Sequence, residues 1–360
     1  METTLNLFTS TKPTGDQQAS IYMSLDAMKA LQLTRISTCA STMAPPKLSV
    51  ATLPIPQLKP GHALVRIHYS SIQPSDRLNA NGGFPYTTYP RVPGRDYSGT
   101  VVSIADDSEE SKSWIGKSVY GTSGSSLGFN VDGTHAQYCL IPQSALVEKP
   151  ANLSSKQAAT VGVPFTTALL CLKRAQVKKN DVVLVIGGFG AVGSAAAQMA
   201  KAMGCKQVLR AARHGDGPTT PDIILGSDIS LKEAISAVTG GKGVDVIIDT
   251  VGNLALMSDA MEQLAVRGRY AWITAPRGNV SKKLTFDVFQ AYRKEIMLIG
   301  CNSVAYKLEE SAEDLRSMRE WIDQNLLQAQ SESEFAVVTL DDAAENGYGK
   351  TAQKVVIDLA

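Results

Sequence analysis

From Met28 onward, apolar and polar positions alternate. Lys29-Ala-Leu-Gln-Leu and Gly61-His-Ala-Leu-Val-Arg-Ile-His-Tyr keep a period near two, as in strands with one buried and one wet face. Proline and glycine punctuation at Pro45-Pro46, Pro54, Pro56, Pro60-Gly61, Pro74, Gly82-Gly83, Pro85, Pro90 and Pro93-Gly94 cuts this stretch into short strands and turns. Near residue 150 the rhythm lengthens, and Ser154 is placed to cap the helical run that follows it. Beyond, strand-like runs at Val182 to Ile186, Gln207 to Leu209, Val244 to Ile248, Tyr270 to Thr274 and Ile296 to Ile299 are separated by helix-like segments, among them Gly193 to Met203 and Leu254 to Leu264. This alternation predicts an α/β fold with a parallel sheet covered on both faces. A charged helix is expected over Leu308 to Gln328. A last strand, Lys354-Val-Val-Ile-Asp, is expected to return to the first lobe.

Length turns this pattern into two lobes, because 360 residues exceed what one core normally organises. The expected divisions are a flexible extension over 1–27, a β-rich lobe over 28–150, an α/β lobe over 151–302 and a return segment over 303–360. Charge removes some partners. The 35 Lys and Arg against 34 Asp and Glu leave a formal net charge of +1, so no field favours nucleic acid or an acidic membrane surface. The apolar runs are strand-sized, far short of a membrane span. Five cysteines stand singly, at Cys39, Cys139, Cys171, Cys205 and Cys301, which is neither a disulfide framework nor a zinc knuckle. The first residues lack the apolar core of a signal peptide and the arginines of a transit peptide. A cytoplasmic protein acting on a small molecule is expected.

The sharpest chemical signal follows the run at Val182: Gly187-Gly-Phe-Gly-Ala-Val-Gly, then an alanine-rich helix. A GxGxxG turn at Gly188, Gly190 and Gly193 between strand and helix is the arrangement that receives a pyrophosphate. One glycine turns the chain, one lets the phosphate approach, and one lets helix and strand pack. The first helical amides and the helix dipole then hold the phosphates. Candidate contacts are Gly187, Gly188, Gly190, Ala191, Val192 and Gly193. No acidic residue stands about twenty positions on to hold a ribose 2′-hydroxyl; Ala212 and then Arg213 stand there instead. A guanidinium pairs with a 2′-phosphate, so NADPH is favoured. Arg210 is a second candidate, or it faces solvent.

Five elements taken together resemble one family: Ile72-Gln-Pro-Ser-Asp76, Pro93-Gly-Arg-Asp-Tyr-Ser-Gly99, Gly133-Thr-His-Ala-Gln-Tyr138, the glycine loop, and Gly240-Gly-Lys-Gly-Val-Asp-Val-Ile-Ile-Asp-Thr-Val-Gly252. Their order and spacing resemble the medium-chain dehydrogenase/reductase superfamily, specifically its zinc-independent quinone oxidoreductase and enoyl reductase branch, over nearly everything after Met28. The resemblance implies a GroES-like β-rich catalytic domain, a Rossmann doubly wound parallel-sheet domain, and an active site between them. Zinc-dependent members carry a Cys and a Gly-His-Glu element as ligands; Gln73-Pro-Ser-Asp and Gly94-Arg-Asp occupy those places here. His62, His68, His135 and His214 are dispersed and expected on the surface or in strands rather than as ligands.

Without zinc, the chemistry implied is hydride transfer to a quinone, an enone or an enoyl thioester. The protein then supplies geometry and donors for the developing oxyanion. Some enoyl reductases of the branch use a tyrosine acid in the loop where this chain has Phe84, within Asn81-Gly-Gly-Phe-Pro-Tyr86. Tyr86 is a candidate replacement or a packing residue, and Tyr89 is expected to pack. Gln73 either reaches the cofactor's ribose or a substrate oxygen, or braces its loop; Asp76 is expected to cap that loop. Thr167 matches a family threonine near the nicotinamide, or caps a helix. Thr250, Val251, Gly252 and Thr274 follow strand ends where ligands of open α/β sheets collect. The segment after Arg213 is too rich in breakers for the usual next helix. Subunits can pair through the edge near Ile296 to Ile299 as a homodimer. A trans-acting enoyl reductase of a biosynthetic pathway, or a cofactor-binding protein with non-redox or little activity, is the alternative.

Overall fold

Alternation in the sequence becomes pleat. β1 (Ala27–Thr34) pairs antiparallel with β2 (Lys47–Pro54), and its Met28, Ala30 and Leu33 point into the core. β3 (His62–Ile72) is the long strand of the first lobe, with Ala63, Val65 and Ile67 fully buried. It pairs with β4 (Tyr97–Ile104), which pairs with β5 (Ser118–Gly121), while β6 (Tyr138–Pro142) adds to its other end. The computed structural model describes residues 27–35, 44–213, 220–349 and 353–360. Apart from Ala27, the extension expected over 1–27 lies outside the described residues, as do Cys39 and residues 214–219 of the breaker-rich segment after Arg213.

Among the described residues the second lobe holds six parallel strands: β7 (Val182–Ile186), β8 (Gln207–Ala212), β9 (Ile223–Ile224), β10 (Val244–Asp249), β11 (Leu264–Trp272) and β12 (Met297–Gly300). Their order is β12-β11-β10-β7-β8-β9. A continuous apolar run suits a strand covered on both sides, and β7 shows it. Val183 and Val185 join the core containing Leu169 and Ala196 of the helices Gly162–Arg174 and Ala191–Ala202. Leu184 and Ile186 join the core containing Ile235 and Met257 of the helices Leu231–Thr239 and Leu254–Glu262. The sheet is doubly wound, as expected, and its strand order reverses between β7 and β10.

Ser154 does cap: its hydroxyl accepts from the Gln157 amide, and Gln157 reciprocates. The run it opens is short, Ser155–Ala158, and the chain turns before the Gly162–Arg174 helix. The single helix expected over Leu308 to Gln328 is instead two, Leu308–Ser317 and Arg319–Asp323. It stops early because Asn325 turns the chain with a φ of 58°, which brings Leu327 into the core. β13 (Phe335–Val338) and β14 (Lys354–Asp358) then return to the first lobe, β14 pairing antiparallel with β3. The return is clasped by Arg77, which donates to the Gly347 carbonyl at 3.0 Å, and by the Tyr348 hydroxyl, which donates to His135 Nδ1 at 2.7 Å. His135 corrects the expectation of surface or strand histidines. It is fully buried in a loop, its Nε2 donates to the Ser71 carbonyl at 3.3 Å, and burial lowers its pKa. Among the described residues no helix is long and apolar enough to cross a membrane.

Candidate active site

The glycine loop sits where the strand order reverses, the place at which open α/β sheets bind ligands. β7 ends at Ile186, and the turn out of it is made by Gly187, with a φ of +77°. That is one residue earlier than the GxGxxG pattern suggested: Gly188 and Gly193 serve packing instead. A Cβ on Gly188 would lie 2.7 Å from Arg210 Cβ, and one on Gly193 would lie 2.2 Å from the Gly187 carbonyl oxygen. Gly190 is different. A Cβ there would meet only the Gly187 oxygen, at 3.4 Å, so the fold alone leaves room beside it. Gly190 is the N-cap of the Ala191–Ala202 helix, and the amides of Ala191, Val192 and Gly193 have no acceptor within that helix. An open glycine beside free amides fits a dinucleotide pyrophosphate.

Around this cradle the neighbouring strands deliver the other candidates. Thr250 follows β10 and donates its hydroxyl to the Ile186 carbonyl at 2.9 Å. Buried Asp249 accepts from the amides of Val251 at 2.7 Å and Gly252 at 3.1 Å and from the Tyr270 hydroxyl at 2.9 Å, fixing the loop. A Cβ on Gly252 would strike the Thr274 carbonyl, 2.6 Å away. At the end of β8, Arg210 does not simply face water: its guanidinium stacks 4.2 Å from the Phe189 ring centroid. Arg213 is exposed.

The first-lobe side is made of side chains. Asp96, at the head of β4 and fully buried, accepts from the Val163 amide at 2.9 Å, at the start of the Gly162–Arg174 helix. Glycine at 162 allows this, since a Cβ would lie 2.4 Å from Asp96 Oδ1. The Gln73 amide donates to Asp96 Oδ2 at 2.8 Å and to Ser71 Oγ at 3.0 Å. Burial pushes the Asp96 carboxyl up to about 7 against the pull of the Thr122 hydroxyl and of Arg95. Asp76 caps the Pro74–Ala80 helix, accepting from the Gln73 amide N–H at 2.8 Å. Between them lies Arg95, only 1% exposed. It donates to the Ser75 hydroxyl and sits 3.4 Å from Asp76 Oδ1. Among the described residues no three His, Cys, Asp or Glu side chains gather into a metal-ligating group.

The two catalytic candidates part here. The Gln73 amide nitrogen is turned into its own lobe, where it braces Asp96 and the loop. Tyr86 is 42% exposed, with burial raising its pKa and Arg95 pulling it down. Its ring lies 5.6 Å from those of Phe84 and Phe129. Tyr89 is half-buried beneath the Arg35 guanidinium. Thr167 is inside the Gly162–Arg174 helix, which rules out capping, and its hydroxyl has no partner among the described residues. Sequence reasoning gave no role to Arg95, Asp96, Ser123 or Asp249. The available signal was a charged pair, Arg95-Asp96, directly ahead of a strand whose first residues are all buried. A cavity of about 510 Å³ lies elsewhere, among Gly241 to Gly243, which precede β10, and Gln263 to Val266, at the start of β11.

Family models match residues 59–151, described as an alcohol dehydrogenase GroES-like domain, and residues 191–323, described as a zinc-binding dehydrogenase. A zinc-type alcohol dehydrogenase-like protein of Schizosaccharomyces pombe is 48% identical over 271 residues, which cover 75% of this chain and 79% of the relative. A quinone oxidoreductase of Homo sapiens is 25% identical over 316 residues, covering 85% and 91%. Among solved structures, an alcohol dehydrogenase superfamily protein from Novosphingobium aromaticivorans superposes with a TM-score of 0.73 at 25% identity, covering 91% of this chain and 99% of that one.

Proposed function

The chain belongs to the medium-chain dehydrogenase/reductase superfamily, whose members bind nicotinamide cofactors, and from that premise we propose that it is a cytoplasmic NADPH-dependent reductase of quinones, enones or enoyl substrates that works without a catalytic zinc. The observation that carries this reading is the state of the first-lobe cluster. Where zinc-dependent relatives carry ligands, this chain has an amide, an arginine and two carboxylates, and they are already engaged with one another. Asp96 is held by Gln73 and the Val163 amide, and Asp76 by the Gln73 N–H and Arg95. A tetrahedral zinc site needs free thiolate, imidazole or carboxylate donors, and this cluster has none to spare.

The bound nicotinamide supplies the hydride. The chain's own residues orient and polarise. Gly187, Gly188, Gly190 and the amides of Ala191, Val192 and Gly193 seat the pyrophosphate. Arg213 and Arg210 face a ribose 2′-phosphate, beside Asp222, whose carboxylate is engaged by the Arg210 backbone N–H at 2.7 Å. Thr250, Val251, Gly252, Thr274 and Thr167 line the path to the cleft. Tyr86 keeps its proton at neutral pH and is available to the reacting carbon's neighbour. The edge strand β12 exposes Met297 and Leu298, which supports pairing of two subunits through that edge.

The test is fluorescence titration of metal-free protein with NADPH and NADH, followed by NADPH consumption against quinones, enones and enoyl thioesters. The expected result is NADPH preference that falls about tenfold or more in Arg213→Ala, with turnover of at least one class. Turnover that appears only after zinc is added would end the zinc-free reading. Tight binding without oxidation of any panel member would move the chain to a non-redox role.

A further inference from the structure

Arginines that the fold draws in from solvent generally meet an oxygen there. Arg77 donates to the Gly347 carbonyl, Arg91 lies 2.8 Å from the Asp132 carboxylate, Arg95 lies beside Asp76, and Arg269 pairs with Asp181. Arg210, half-buried near the end of β8, is different. Among the described residues its guanidinium has no carbonyl, hydroxyl or carboxylate partner, and what it meets is a ring: its central carbon lies 4.2 Å from the centroid of Phe189, within cation–π range.

The arrangement is built from the glycine loop. The Arg210 stem lies against Gly188, where an added Cβ would come within 2.7 Å of Arg210 Cβ and 3.0 Å of its Cγ. A side chain at 188 would therefore push the arginine away. Phe189, the next residue, carries the head of the arginine on a ring that is itself 37% exposed. The nearby acid is occupied with backbone: the Arg210 N–H donates to Asp222 Oδ2 at 2.7 Å, and the Arg210 carbonyl accepts from the Asp222 N–H at 3.0 Å. A carboxylate partner would fix the guanidinium and cancel its charge. A phenylalanine ring fixes it and uses none of its five N–H donors, so a fixed cation with free donors stands beside the phosphate cradle. Arg213, three positions on, is exposed and has no such support.

We propose that Phe189 is a positioning residue for cofactor discrimination: its ring holds Arg210 in place for a phosphomonoester dianion on the adenosine ribose, while Arg213 adds charge without direction. The inference rests on the NADPH reading above and names the residue that sets its preference. Phosphate recognition by a guanidinium depends on the direction of its planar fork. An arginine already held in one orientation also loses less freedom on binding than one that must be immobilised from solvent.

The test needs no turnover. Wild type and variants are titrated calorimetrically with adenosine 2′,5′-bisphosphate and with adenosine 5′-monophosphate, which differ only in the 2′-phosphate. Wild type is expected to bind the bisphosphate about tenfold more tightly. Phe189→Leu should lower bisphosphate affinity roughly fivefold and leave the monophosphate unchanged, and Phe189→Tyr, which keeps a ring, should restore the preference. Arg210→Gln should also weaken the bisphosphate, and on that background Phe189→Leu should cost nothing further, because the ring acts through the arginine. A Phe189→Leu loss that falls equally on both nucleotides, or that persists in full beside Arg210→Gln, makes the ring part of the loop's packing and overturns the proposal. The two readings fail separately. Wild type that prefers the bisphosphate while Phe189→Leu changes nothing removes the ring's role and leaves the NADPH reading standing. Wild type that binds the two nucleotides alike removes both.

Discussion

In the second lobe the candidate site is made of backbone. Four glycines within seven residues, the end of β7 and a helix N-terminus build a cradle from neighbouring positions in sequence, with the end of β10 packed beside it. In the first lobe it is made of side chains. Gln73, Asp76, Arg95, Asp96 and Ser123 come from three separate segments and are held by hydrogen bonds that also reach Val163 across the cleft. A backbone cradle tolerates most outward-facing side chains but no added Cβ at its tight points. A side-chain cluster tolerates backbone variation but not the loss of one charge. The first can hold a cofactor common to a large family. The second can be changed residue by residue, and the proposed zinc-free reading rests on it.

The contrast breaks most severely at Gly193→Val. With the nearest backbone oxygen 2.2 Å from the new Cβ, the helix must move off β7, at a cost of about 3 kcal/mol or more, visible as a lowered denaturant midpoint. A variant as stable as wild type would mean the loop is not the tight joint described.

Asp96→Asn should give the next effect, a pH-dependent one of a few kcal/mol between acid and neutral pH. The folded carboxyl titrates about 7, above its ordinary value of 3.8, so the folded state holds the proton more tightly than the unfolded state. Wild type therefore loses this contribution to stability as pH rises from about 4 to about 7, and Asn, which does not titrate, does not. Asn is expected to be less stable than wild type at pH 5, with the gap closing by pH 8. A gap constant across pH, read from urea midpoints, would show that Asp96 is not titrating as described.

Gly190→Ala sharpens the comparison at smallest cost. The fold has room for this Cβ, so stability should hold while NADPH affinity falls about tenfold, because the methyl occupies the phosphate's approach. Lost stability with unchanged affinity would place the pyrophosphate elsewhere.

Local order explains what could be read along the chain. The Val182 to Gly193 segment carries strand, turn and helix within twelve positions, so its arrangement follows from periodicity and glycine placement. Even so, the turning glycine is Gly187 rather than Gly188, because where the chain bends depends on Thr250 and Arg210 packing against it from other strands. Helix breaks were less legible. Nothing near Asn325 announces its left-handed conformation until Leu327 needs a place in the core.

By itself the sequence determined the two-lobed α/β architecture, the doubly wound sheet and the glycine turn between strand and helix, because each depends on short-range patterns of burial and turn chemistry. Only tertiary structure decided that Gln73 turns inward to Asp96, that Thr167 lies buried and unpartnered inside a helix, and that Arg95, Ser123 and Thr167 converge on one small void. Those residues are 28 to 72 positions apart in the chain. What places them together is the closure of β3 and β4 against the head of the Gly162–Arg174 helix, and no local pattern encodes a distance between side chains that only the folded core brings into contact.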